Sequence, residues 1–178
     1  MQFSRASTSA TLRPSVPTAS HRSCEILIQS SEIAARNADA NAFGMPGFFT
    51  WGTTAQNGAA GALAAMQGRC GVGTSARDYM LGRNPFGRSF VVGFGRGAAR
   101  HPHHWASAIA PRSQPRGAVV GGPAPIAQIR SQGFDVEGPF DTRFASYEDK
   151  RRDYVTSEPA LDYAAASILL LATISANC

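Results

Sequence analysis

Residues 147–166, YEDKRRDYVTSEPALDYAAA, place one carboxylate, Glu158, directly ahead of a long apolar run. Leu161, Ala164, Ala165, Ile168 and Ala172 recur at helical spacing, so the run reads as a helix with one apolar face. Pro159 is compatible with a first helical turn, and Thr156 or Ser157 can cap it. The pattern therefore predicts Glu158 at the mouth of a rigid element. Acids are enriched in first turns because they complement the helix dipole, so position alone leaves that role beside a catalytic one.

The chain has 178 residues, enough for one domain or a large piece of one. Eighteen Gly and eleven Pro imply many turns and long loops. The net charge is +5, and Lys150 is the only lysine. The arginines are scattered along the sequence with no recognition motif, so a solvated surface is expected and not a nucleic-acid partner. The most apolar run, 164–174, is about half the length a membrane span needs, so no membrane partner is expected. Cys24, Cys70 and Cys178 are far apart, allow at most one disulfide, and show no metal-ligand spacing. Residues 1–22 lack the apolar core of a signal peptide.

Residues 1–40 are rich in Ser, Ala, Thr and Arg and are expected to be disordered or poorly packed, with at most a short helix over 23–35. The aromatic loop NAFGMPGFFTW, 41–51, fills a core or lines a groove. Thr53 and Gln56 form a candidate capping box, opening a helix through Ala59, Ala62, Leu63 and Met66. A second helix is expected over 74–81, stopped by Gly82 and Asn84-Pro85. RSFVVGFGRG, 88–97, reads as extended, and its glycines lack the ending of a phosphate loop. RHPHHW, 100–105, holds three histidines around a proline. No cysteine completes a zinc set, so a histidine that contacts substrate beside Trp105 is the sharper reading. Residues 106–146 read mostly as loop.

Taken together, DYMLGRNPFGRSFVVGFG (78–95), HPHHW (101–105), VVGGP (119–123) and YEDKRRDYVTSEPALDYAA (147–165) resemble, in order and spacing, the C-terminal part of glycoside hydrolase family 9. GMP…TWGTTAQ, 44–56, resembles the segment before the family's penultimate helices. The likeness covers 41–178. It implies an all-α fold, the C-terminal portion of an (α/α)6 barrel with long loops, incomplete. It also implies inverting hydrolysis of β-1,4-glucan or oligosaccharide, no metal or cofactor, and an extracellular or periplasmic location. By the same resemblance Glu158 is the proton donor, Asp149 the acidic signature residue and His103 a substrate-binding histidine. Trp105 and Tyr154 are candidate sugar-stacking rings.

Two positions depart from the family pattern. Trp105 stands where the family has an arginine, and Ala164 where it has an asparagine. The aspartate cluster that activates water in the family has no counterpart: the acids before Asp78 are Glu25, Glu32 and Asp39, with no Asp-x-x-Asp pair. An inverting glycosidase needs two carboxyl groups about 6.5–9.5 Å apart. Glu158 must also be protonated, which requires burial or nearby negative charge. Asp149 is the local candidate for that charge, or else a turn residue bonded to backbone N–H groups or to Arg151. The expectation is a fragment with little activity alone, completed by a complementary N-terminal fragment. The alternative is a non-catalytic carbohydrate-binding remnant.

Overall fold

The computed structural model describes residues 21–110, 114–136 and 144–178. Among the described residues, seven helices and two short strands follow in the order α1 (His21–Asp39), α2 (Thr53–Met66), α3 (Cys70–Met80), α4 (Trp105–Ile109), β1 (Ala124–Pro125), α5 (Ile126–Ser131), β2 (Ala145–Ser146), α6 (Tyr154–Ser157) and α7 (Leu161–Asn177). Among the described residues no helix is long and apolar enough to cross a membrane.

Helix α2 is central: it packs on α3 and α7, and α1 lies against it. Its sequence, TTAQNGAAGALAAM, explains why. Small side chains let neighbouring backbones approach closely, and Ala62, Ala76 and Leu170 meet at the shared seam. At Gly61 an added Cβ would lie 2.4 Å from the Ala76 Cβ. The disulfide Cys70–Cys178 ties the start of α3 to the end of α7. That pairing lies within the limit of one bridge set by three cysteines.

A second core lies under the loops. Tyr79, Phe86, Phe90, Val92, Val120, Met45 and Tyr147 form one buried cluster. The Phe90 and Tyr147 rings meet edge to face, with centroids 4.9 Å apart. Segment 88–97 was expected to be extended throughout; it is so only over its first residues, and 92–97 is a run of turns in which Gly93, Gly95 and Gly97 take positive φ. Val91 bridges Val119, and Val120 in turn bridges Pro159, both antiparallel. Three extended segments thus lie side by side, and the outer one carries Glu158. Strands β1 and β2 form a separate two-residue antiparallel pair. The long stretch 106–146 contains β1, α5 and β2, along with most of α4.

Several expectations are corrected. Residues 21–39 form a 19-residue helix whose Ser31, Ala34 and Ala38 are buried, not a loosely packed segment. Residues 1–20 lie outside the described residues. The capping box at Thr53 does not form. Gly52, with φ +78, is the N-cap, and the Thr53 hydroxyl turns back to the Thr50 backbone. Helix α3 begins at Cys70, a turn earlier than the 74–81 helix expected. The aromatic loop divides: Met45 is buried, whereas Phe48 and Trp51 are 61% and 38% exposed. The buried side of α7 is Tyr163, Ser167, Leu170 and Thr173, not the side marked by Leu161 and Ile168, which are 90% and 67% exposed.

Candidate active site

Glu158 is not in the first turn of α7. It is the C-cap of α6, in extended conformation (φ −74, ψ 126), and α7 starts three residues later. The physical reason is competition between caps. Asp153 caps α6 by accepting from the Val155 and Thr156 N–H groups, so the turn closes before Pro159. Glu158 then leaves as an edge segment. Its N–H donates to the Tyr154 carbonyl, and its carbonyl accepts from Gly121 N–H at 3.0 Å. The side chain is exposed. VVGGP is therefore the strand that fixes the backbone of the acid.

The histidine loop docks on the same element. His103 N–H donates to the Ser157 carbonyl at 2.8 Å, one residue before Glu158. The His103 Nδ1 lies 2.7 Å from the Arg151 carbonyl. A carbonyl accepts only, so Nδ1 carries a proton, and Nε2 of the neutral ring is left as an acceptor. The ring stands edge-on to Tyr154, with centroids 5.8 Å apart.

Asp149 is engaged by this loop. Its two carboxylate oxygens accept from the backbone N–H groups of Arg100 and His101, both at 2.9 Å. Its side chain is 8% exposed. The partner is thus the histidine loop and not Arg151. Pro102 is buried between the two anchored ends.

Tyr154 is the hub of an aromatic cluster. Its ring contacts Trp51 (5.9 Å), Phe134 (5.1 Å) and His103, and its hydroxyl donates to Gln132 Oε1 at 2.8 Å. Trp105, 70% exposed, opens α4, and its described ring contact is with His104. The structure therefore brings together Glu158, His103, Asp149 and Tyr154, and gives Trp105 a different ring partner. Trp51 and Phe134 belong to the cluster and were not singled out by sequence. The aromatic run Phe48, Phe49 and Trp51 in the 41–51 loop was the available signal for Trp51.

Burial dominates the local electrostatics. It raises the Asp153 carboxyl above its ordinary value, against opposing hydrogen bonds from Thr156 and Val155. Burial likewise raises the Tyr163 phenol, with Asp162 and Glu158 adding to the shift and a hydrogen bond from Trp51 opposing it. A cleft of about 340 Å³, lined by His104, Pro115, Val119, Pro159, Leu161 and Ala164, opens beside the Glu158 segment. An apolar cavity of about 460 Å³ lies further along α7, between Phe94, Leu81, Ile168 and Leu171.

Known proteins share sequence and fold with this chain. Endoglucanase A of Bacillus pumilus is 37% identical over 98 residues, covering 49% of this chain and 12% of that protein. A metagenome-derived glycoside hydrolase family 9 endoglucanase superposes with a TM-score of 0.70 at 26% identity, covering 88% of this chain and 29% of that one. AaCel9A, solved with a cellobiose-like isofagomine, gives 0.71 at 29% identity, covering 86% and 31%. The chain thus spans under a third of these relatives, as the C-terminal portion of an (α/α)6 barrel. The model of Glycosyl hydrolase family 9 matches residues 5–171, beginning upstream of the 41–178 span in which the motifs lie. With its model matched across nearly the whole chain, the protein belongs to glycosyl hydrolase family 9.

Proposed function

We propose that this chain carries the acid side of a β-1,4-glucan-hydrolysing site, with inversion at the anomeric carbon. Glu158 is the general acid, His103 binds a sugar hydroxyl through Nε2, and Asp149 holds the histidine loop in place. One observation carries the reading: the 2.8 Å bond from His103 N–H to the Ser157 carbonyl fixes the imidazole and the acid on one backbone unit. Fixed placement of acid and substrate is what proton donation to a leaving oxygen requires. Relatives solved with a cellobiose-like isofagomine, or with cellobiose and cellotriose, suggest an oligosaccharide ligand for this chain too.

The base is expected from elsewhere. An inverting mechanism needs a second carboxylate to activate water, and residues 1–77 contain no Asp-x-x-Asp pair. Glu158 is exposed here, so the burial that keeps a catalytic acid protonated must also come from outside these residues. The apolar cavity on α7 and the exposed Leu161, Ile168, Leu169 and Leu171 form the face that an N-terminal part of the barrel would cover. The Cys70–Cys178 disulfide favours an oxidising, extracellular or periplasmic compartment.

The test is hydrolysis of cellohexaose by the chain alone and after mixing with the N-terminal part of a family 9 catalytic domain. Background turnover alone, and turnover in the mixture that disappears with Glu158→Gln, supports the proposal. Hydrolysis by the chain alone that disappears with Glu158→Gln overturns the requirement for an outside base. The exposed rings Trp51 and Trp105 favour a second reading, a carbohydrate binder without turnover. That reading expects cello-oligosaccharide affinity to be unchanged by Glu158→Gln.

A further inference from the structure

Helix α4 is capped by an imidazole. His104, in extended conformation (φ −145, ψ 139), is the N-cap, and the Ala106 N–H donates to its Nδ1 at 3.2 Å. An N–H needs a lone pair to donate to, so Nδ1 is bare and the neutral ring carries its proton on Nε2. His103, one residue earlier, is the opposite tautomer, with its Nδ1–H directed at the Arg151 carbonyl at 2.7 Å. The His101 Nδ1 also faces acceptors, the Asp149 carbonyl at 3.1 Å and Asp149 Oδ2 at 3.4 Å. His101 and His103 therefore keep these bonds when the ring becomes charged. His104 keeps its bond only when neutral. Protonation sets an Nδ1–H against the Ala106 N–H. It also puts a positive charge beside the free N–H groups of a first turn, the wrong sign for a helix start.

The element that depends on this bond is small. Five residues, Trp105–Ile109, are too few to hold a helix without a cap and packing. Ser107 is its buried side chain, whereas Trp105 and Ile109 are exposed. The Trp105 ring lies against the capping imidazole, with centroids 5.8 Å apart. His104 also borders the 340 Å³ cleft, whose other lining residues are uncharged. The charged residues next in sequence to that lining are Arg116, Glu158 and Asp162, and among the described residues none of them bonds the imidazole.

We infer that His104 is a proton-gated N-cap, a positioning residue that holds α4 and the Trp105 ring in place while its imidazole is neutral and releases them on acidification. The inference does not depend on Glu158 being the acid. It divides the histidine loop by role: His101 and His103 stay bonded in both charge states, and His104 in one. A sugar that stacks on Trp105 would meet an ordered ring only while His104 is neutral.

The test needs no turnover. The full chain, labelled with 15N, is followed by NMR from about pH 8 to about pH 5. Ring nitrogens report the tautomer and charge of each histidine, and the His104 signals are assigned by their loss in His104→Asn. At high pH the His104 proton is expected on Nε2 and the His103 proton on Nδ1. As His104 becomes charged, the exchange protection of the Ala106 amide, corrected for the intrinsic pH dependence of exchange, should fall roughly five-fold, the equivalent of a lost N-cap. The Trp105 indole should become more mobile over the same range. His104→Asn supplies a capping oxygen that does not titrate, so Ala106 should stay protected throughout. His104→Ala should show the low protection at every pH. Ala106 protection that stays constant while the parent His104 becomes charged overturns the inference. So does a neutral His104 with its proton on Nδ1, or an equal loss of protection in His104→Asn, which would assign the response to another group. If His104→Ala does not fold, the comparison of the parent with His104→Asn decides the matter.

Discussion

The backbone N–H of His103 donates to the carbonyl oxygen of Ser157 at 2.8 Å, so the histidine loop is anchored one residue from Glu158. Asp149 anchors the other end of that loop through Arg100 and His101. The loop is therefore pinned at both ends by residues 149–157.

Replacing Asp149 with alanine leaves two backbone donors without their acceptor. The expected loss is about 1–3 kcal/mol of stability. Hydrogen exchange should locate it: the Arg100 and His101 amides lose protection, whereas amides in α2 change only with global stability.

Asp153 gives the stability curve a definite sign. Its folded carboxyl titrates above the ordinary value because burial outweighs its hydrogen bonds. The folded state thus holds this proton more tightly than the unfolded chain does. The associated stabilisation is complete below about pH 3.9 and is lost as pH rises through the raised folded value. Asp153→Asn keeps a capping oxygen and cannot ionise. Urea unfolding of both proteins from pH 3.5 to 7 should show the parent losing ground relative to the variant as pH rises.

Gly61→Ala tests the α2–α3 seam. In an open helix this change gains about 1 kcal/mol. Here the new methyl meets Ala76 Cβ at 2.4 Å, inside any real contact. Overpacking of this kind costs about 1–3 kcal/mol, so a net fall in the unfolding midpoint is expected by denaturant titration.

The exposed side of α7 predicts the opposite pattern. Ile168→Glu at a 67% exposed site should change stability by about 0.5 kcal/mol or less while reducing self-association. Sedimentation velocity across a concentration series would show it.

How far the sequence could be read depended on what each pattern encodes. The absence of helix over 88–97, the stop at Asn84-Pro85 and the ordered set of motifs around Glu158 were legible because they are local. The buried face of α7 was not. That helix carries one charged residue, Asp162, so its period has little contrast, and the more apolar stripe points outward. Ser167 could be buried because its hydroxyl bonds back to the Tyr163 carbonyl at 2.8 Å. Thr53 followed by Gln56 looked like a capping box, but the Thr53 hydroxyl is engaged by Thr50. Trp51 escaped notice because its partners lie about a hundred residues away in the chain.

The Cys70–Cys178 bridge, with its sequence separation of 108, makes everything from α3 to α7 a closed covalent ring. The histidine loop, the VVGGP strand and Glu158 all lie inside that ring, while α1, α2 and Trp51 lie on the tail outside it. A protease cut within the ring opens it but releases nothing until a reductant is added. A cut at 67–69 would release the tail that carries α1, α2 and Trp51. Glu158 and His103 would stay joined to each other, but the indole that packs on Tyr154 would be lost.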